Sequence, residues 1–209
     1  MKFSSKVEKC GLSPMRKFHP YAVAAKARGV NIYHLNIGQP DVQTPPAFFE
    51  AVRHFEQPVL AYAPSPGIPA LIDAICSYYA RIGVTLDAGN VLVTTGGSEA
   101  LQIACNCILD DGDEILVPAP DYPLWTASIT LAGGKAVHYL CDEQQDWYPD
   151  INDLRSKVTP RTKGIVVINP NNPTGAVYSK EVLLAIAELA RQHHLVLLAD
   201  EIYDRLVMD

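Results

Sequence analysis

The sequence predicts an α/β fold built on a mostly parallel sheet, and three observations predict it. From residue 164 to residue 209 the chain reads GIVVINPNNPTGAVYS, then a helix-length amphipathic segment, then LVLLADEIYDRLVMD. Two short apolar runs, Ile165 to Ile168 and Leu195 to Ala199, thus flank one helix, Lys180 to His194, as in a βαβ unit. Runs that stay apolar instead of alternating belong to strands buried on both faces, which demands helices on both sides of a parallel sheet. Strand and helix patterns then alternate without a break from Asn90 onward, as in a single α/β domain with no internal repeat or linker.

The elements follow in order. Residues Met1 to Asn31 read as an arm punctuated by Ser13-Pro14 and one helix, Tyr21 to Arg28, stopped by Gly29. IYHLNIGQPD reads as a strand ending in Gly38, Gln39, Pro40 and Asp41, a turn that exposes backbone N–H groups or simply joins strand to loop. Pro45-Pro46 opens a helix over Ala47 to Phe55, since proline suits a first turn. A Pro/Gly loop holding Tyr62 precedes a helix from about Ile68 to Ile82. Asn90 to Thr94 reads as a strand running into Thr95-Gly96-Gly97-Ser98, with a helix from about Glu99. Then come a strand, Glu114 to Val117, a helix, Leu124 to Ala132, a strand, Lys135 to Leu140, and a turn with a short helix in DWYPDINDLRSKVTPRTK.

With 209 residues, 48% hydrophobic and 19% charged, the chain has apolar material for a sizeable core. A net charge of -6 with no basic block argues against a nucleic-acid surface. No run reaches membrane-spanning length and the amino terminus lacks a secretory core, so no membrane partner and a cytoplasmic location are expected. Five cysteines without a C-x-x-C pair read as packers and bystanders, Cys105 and Cys107 pointing to different faces of one helix. His193 and His194 read as a polar helix end, and no metal spacing occurs.

Ligands of open parallel sheets sit at the carboxyl ends of strands. There the sequence places Asn169, Asn171 and Asn172 on one strand, Asp200, Glu201 and Tyr203 on the next, and Asp121-Tyr122-Pro123 on a third. Gly96, Gly97 and Ser98 at a strand-to-helix junction suit a phosphate, through free amides and the positive helix end, although a helix merely capped by Ser98 would read the same. Neither a dinucleotide fingerprint nor a Walker loop is present. An aromatic platform at Tyr122, an amide at Asn172, and Asp200 three residues before the phenol of Tyr203 together fit a flat heteroaromatic phosphate with a basic ring nitrogen. Asp200 at the tip of an apolar strand needs a cationic partner, and a protonated pyridine ring supplies one and acts as an electron sink, the role of pyridoxal 5'-phosphate (PLP).

NPNNPTG, TTGGSEAL, PDYPLW and ADEIYD, in this order, resemble the class I/II, fold-type I PLP-dependent aminotransferases, especially the bacterial alanine and aspartate enzymes. The resemblance implies a three-layer sandwich, incomplete at the C-terminus, with residues 1–45 an arm and part of a small domain and residues 46–209 the first part of a large PLP-binding domain. It implies that Gly97 and Ser98 form the phosphate cup, that Tyr122 stacks on the ring, and that Asn172 and Tyr203 meet its phenolic oxygen. Asp200 would pair with the ring nitrogen. Gly38 and Asn172 would meet the substrate carboxylate, and Tyr62 would reach the neighbour's cofactor phosphate in a homodimer. Amino acid and 2-oxo acid substrates follow.

The family's Schiff-base lysine lies beyond residue 209, so no catalytic residue is assigned among the nine lysines, and the 209-residue chain alone is expected to be inactive. Another reaction on the same scaffold, of C–S lyase or decarboxylase type, would use the same cofactor residues. A PLP-binding sensor domain would need a DNA-binding module, for which residues 1–46 are too short and too weakly basic. A Rossmann nucleotide-binding domain is disfavoured by the missing fingerprint.

Overall fold

The computed structural model describes residues 2–10, 16–36, 38 and 42–207. Ser13-Pro14 and Ile37, Gln39, Pro40 and Asp41 of the expected turn lie outside the described residues. The chain divides into two compact units. One is formed by residues 94–209 with residues 1–11, the other by residues 12–93.

The larger unit is an α/β sandwich. Its strands are β1 (Glu114–Ala119), β2 (Lys135–Asp142), β3 (Tyr148–Pro149), β4 (Thr162–Ile168) and β5 (Val196–Asp200), in the spatial order β3-β2-β1-β4-β5. All neighbours run parallel except β3, which turns back antiparallel along β2. The βαβ reading of residues 164–209 holds: β4 and β5 pair from Gly164↔Val196 to Ile168↔Asp200.

Side-chain alternation along the strands builds the layers. Ile115 and Val117 of β1 and Val166 and Ile168 of β4 pack into a core with Cys105, Trp125 and Ile129. Leu116, Ile165 and Val167 face the other way, into a core with Leu154, Ile186 and Leu189. The first core is roofed by α5 (Gly97–Ile108) and α6 (Pro123–Leu131), the second by α7 (Ile151–Ser156) and α8 (Lys180–Gln192). Full burial of each of these branched side chains is worth about 1.5–3 kcal/mol, so the two cores fix the sheet between its helices.

Helix ends follow local chemistry. Pro123 stands in the first turn of α6, Asp150 accepts from the Asn152 and Asp153 amides at the start of α7, and the Ser179 hydroxyl accepts from Val182 at the start of α8. His193 is the C-cap of α8, in line with its reading as a helix end. Cys105 is fully buried while Cys107, two positions on, is exposed.

In the smaller unit the helices α2 (His19–Ala27), α3 (Pro46–Arg53) and α4 (Pro69–Arg81) match expectation within two residues at each end. Two expected strands do not form. Among the described residues, 31–36 carry no ladder, and 91–94 are extended without a strand partner after a 3-10 turn, Ala88–Asn90. Apolar alternation makes a segment fit for a strand, but only a neighbour with free backbone groups makes it one. The other difference is β5, expected to be buried on both faces. Among the described residues it pairs with β4 only, and Val196 and Leu197 stay 43% and 42% exposed.

Candidate active site

One cavity of about 350 Å3 opens at the carboxyl ends of β4 and β5, a size typical of small-molecule sites. Gly97, Ser98, Tyr122, Asn172, Asp200 and Tyr203 all line it. These side chains come from four separate places in the chain: the start of α5, the loop after β1, the loop after β4, and the end of β5.

At the start of α5 the chain spends its hydrogen bonds in an orderly way. Thr94 Oγ1 donates to the Gly96 carbonyl at 2.9 Å, and the Thr95 N–H donates to Glu99 Oε2 at 2.6 Å. That amide holds the Glu99 carboxyl below the usual carboxylate range. Gly96, the residue before the helix, has φ 98°, a left-handed value that glycine adopts without strain. The Gly97 and Ser98 amides and the Ser98 hydroxyl have no hydrogen-bond partner among the described residues. The helix begins at Gly97, two residues before the expected start, and Ser98 does not cap it. Free amides at a helix start, with the dipole behind them, form an anion site.

The loop after β4 is tied by its asparagines. Asn169 Oδ1 accepts from the Tyr178 N–H at 2.8 Å, and Asn171 Oδ1 accepts from both the N–H and hydroxyl of Thr174. Asn171 is buried and serves the loop, which leaves Asn172 for the cavity. Asn172 Nδ2 donates to Tyr203 Oη at 3.5 Å, so an amide and a phenol stand together on one wall.

Asp200 ends β5, where its carbonyl accepts from the Asn169 N–H at 3.0 Å. Its side chain is half-buried, meets no arginine or lysine among the described residues, and accepts at Oδ2 from Trp125 Nε1 at 3.0 Å. Sequence reasoning missed Trp125. The available signal was its spacing, three residues past Tyr122 on one helical turn, and the need of a buried indole for an acceptor. Also missed was the group beside Tyr122, where Thr126 Oγ1 donates to Asp121 Oδ2 at 2.8 Å and His138 Nε2 lies 3.5 Å from the same oxygen.

Gly38 and Tyr62 belong to the smaller unit. Both are exposed, Tyr62 completely. No lysine is among the residues that line the cavity.

A family model described as aminotransferase class I and II matches residues 30–209. The chain belongs to this family. It is 48% identical over 189 residues to the glutamate-pyruvate aminotransferase AlaA of Escherichia coli, a match covering 87% of this chain and 46% of that protein. It is 47% identical over 200 residues to an alanine aminotransferase of Mycobacterium tuberculosis, with 91% and 46% covered. Among solved structures, an aminotransferase from Escherichia coli superposes with a TM-score of 0.94 at 44% identity, covering all of this chain and 53% of that one. The aspartate aminotransferase of Thermus thermophilus with maleate gives 0.92 at 37% identity, covering 100% and 55%. The class I and II aminotransferase chain described here therefore spans about half the length of these relatives, and its fold is the fold-type I sandwich expected from the motifs.

Proposed function

We propose that the complete protein transfers an amino group between a small amino acid, alanine or aspartate, and a 2-oxo acid, with PLP as cofactor. The observation that carries this reading is the meeting of Gly97, Ser98, Tyr122, Asn172, Asp200 and Tyr203 in one cavity. The residues present fit the cofactor: unpartnered amides for a phosphate, a ring to stack on, two polar groups side by side for a phenolic oxygen, and an unpaired carboxylate for a ring nitrogen. Relatives named as glutamate-pyruvate and alanine aminotransferases support the amino-acid class.

When bound, the protonated ring supplies an electron sink for charge developing on substrate carbon. The chain's own residues do the rest. Gly97 and Ser98 anchor the phosphate by amide donors and the helix dipole, and Tyr122 fixes the ring plane. Asp200 keeps the ring nitrogen protonated, because an anion beside a pyridine favours the charged form. Asn172 and Tyr203 donate to the phenolic oxygen, and Asn172 with the Gly38 backbone receives the substrate carboxylate. In a homodimer Tyr62 of one subunit serves the phosphate of the other. The reading includes the division at residue 45 between the arm with part of a small domain and the cofactor domain, a lysine beyond residue 209 to hold the cofactor, and a cytoplasmic location. No helix among the described residues is long and apolar enough to cross a membrane.

The test is direct. The complete protein mixed with PLP should develop a visible absorption band, which alanine or aspartate should bleach without a 2-oxo acid and a 2-oxo acid should restore. Absence of both the band and the half-reaction would end the proposal.

A further inference from the structure

Asp200 lines the cavity but is held by a residue that does not line it. Trp125 is 2% exposed, and its indole N–H has one partner among the described residues, Asp200 Oδ2 at 3.0 Å. A buried indole N–H without an acceptor is costly, so this bond favours a single carboxylate orientation. The second carboxylate oxygen, Oδ1, has no hydrogen-bond partner among the described residues. The backbone N–H of Trp125 donates to the Tyr122 carbonyl at 3.0 Å, so the first turn of α6 carries both the cavity's aromatic wall and the holder of its carboxylate.

We propose that Trp125 is a positioning residue, whose indole fixes the Asp200 carboxylate so that Oδ1 meets the protonated ring nitrogen of the cofactor. The claim rests on the PLP reading given above. It assigns Trp125 no contact with cofactor or substrate, and its effect passes through Asp200 alone.

The experiment compares PLP with an analogue carrying C–H in place of the ring nitrogen, each titrated into the cofactor-free complete protein. Trp125→Phe keeps an aromatic ring and removes the N–H. It should weaken PLP binding about tenfold, the scale of one hydrogen bond to a charged group, and leave binding of the analogue unchanged. In an Asp200→Ala background the same substitution should change PLP affinity less than twofold. Equal losses for PLP and analogue, or equal losses with and without Asp200, would show mere packing and overturn the inference. Should Trp125→Phe fail to fold, Trp125→His retains a ring N–H and should keep the preference for PLP over the analogue; loss of that preference would overturn it as well. Wild-type protein that binds neither compound sinks the PLP reading itself, whereas wild-type preference for PLP with an unaltered Trp125→Phe sinks only the role of Trp125.

Discussion

Asn172 and Tyr203 are 31 positions apart in sequence, on the loop after β4 and the turn after β5, yet Asn172 Nδ2 donates to Tyr203 Oη across 3.5 Å. The parallel pairing of β4 with β5, in register to Ile168↔Asp200, brings both strand ends to one level and so makes the contact. A bond this long is easily exchanged for a stronger acceptor between the two donors.

Tyr203→Phe should therefore weaken PLP binding by a factor of about 5–10, the worth of one net hydrogen bond, and leave folding unchanged because Tyr203 is half-buried at a rim. Titration of cofactor-free protein followed by visible absorption measures it. An unchanged affinity would place the phenol outside the binding set.

Asp200 and Glu201 are adjacent acids lining the same cavity, but only Asp200 is fixed by a buried donor, while Glu201 is exposed. Asp200→Ala should reduce cofactor affinity at least tenfold more than Glu201→Ala, since removing one partner of a paired charge costs about 1.5–3 kcal/mol or more. Equal effects in parallel titrations would mean that the ring nitrogen lies elsewhere.

Gly164 lies where β4 meets β5, and a Cβ there would stand 2.9 Å from the Val196 carbonyl oxygen. That oxygen belongs to a strand and cannot swing aside as a side chain would. Gly164→Ala should destabilise the protein by about 1–3 kcal/mol through a strained β4–β5 pairing, seen as a lower urea midpoint. Gly97→Ala is the contrast: a Cβ there meets nothing within 4 Å, so the urea midpoint should stay.

Glu114, at the start of β1, accepts from Thr159 Oγ1 at 2.7 Å and pairs with Lys135 Nζ at 3.3 Å. The Thr159 hydroxyl, aided by Lys135, holds its carboxyl below the usual range. A carboxyl whose folded pKa is depressed stabilises the fold above the unfolded value, about 4.3, and loses that stabilisation as pH falls through the lower folded value. Glu114→Gln should thus cost about 1–3 kcal/mol at neutral pH, and the gap from wild type should narrow below about pH 4. Urea unfolding across a pH series checks the sign; a gap that widens in acid would contradict it.

Helix extents, the βαβ unit and the residues at strand ends were legible because each rests on a local signal. Proline opened α3 and α6, Ser179 capped α8, and the apolar runs marked β4 and β5. The glycine-lined helix start and the motifs at Asn172, Tyr122 and Asp200 were likewise readable, since chain order and strand direction place them at one sheet edge.

Periodicity and punctuation within a dozen residues thus sufficed for the fold class and most of the candidate site. Tertiary structure alone decided the strand order β3-β2-β1-β4-β5. It alone brought Trp125 to Asp200, 75 positions away. The reason is that a strand's partners, and a buried donor's acceptor, are chosen by free energy summed over distant segments, which no local pattern contains.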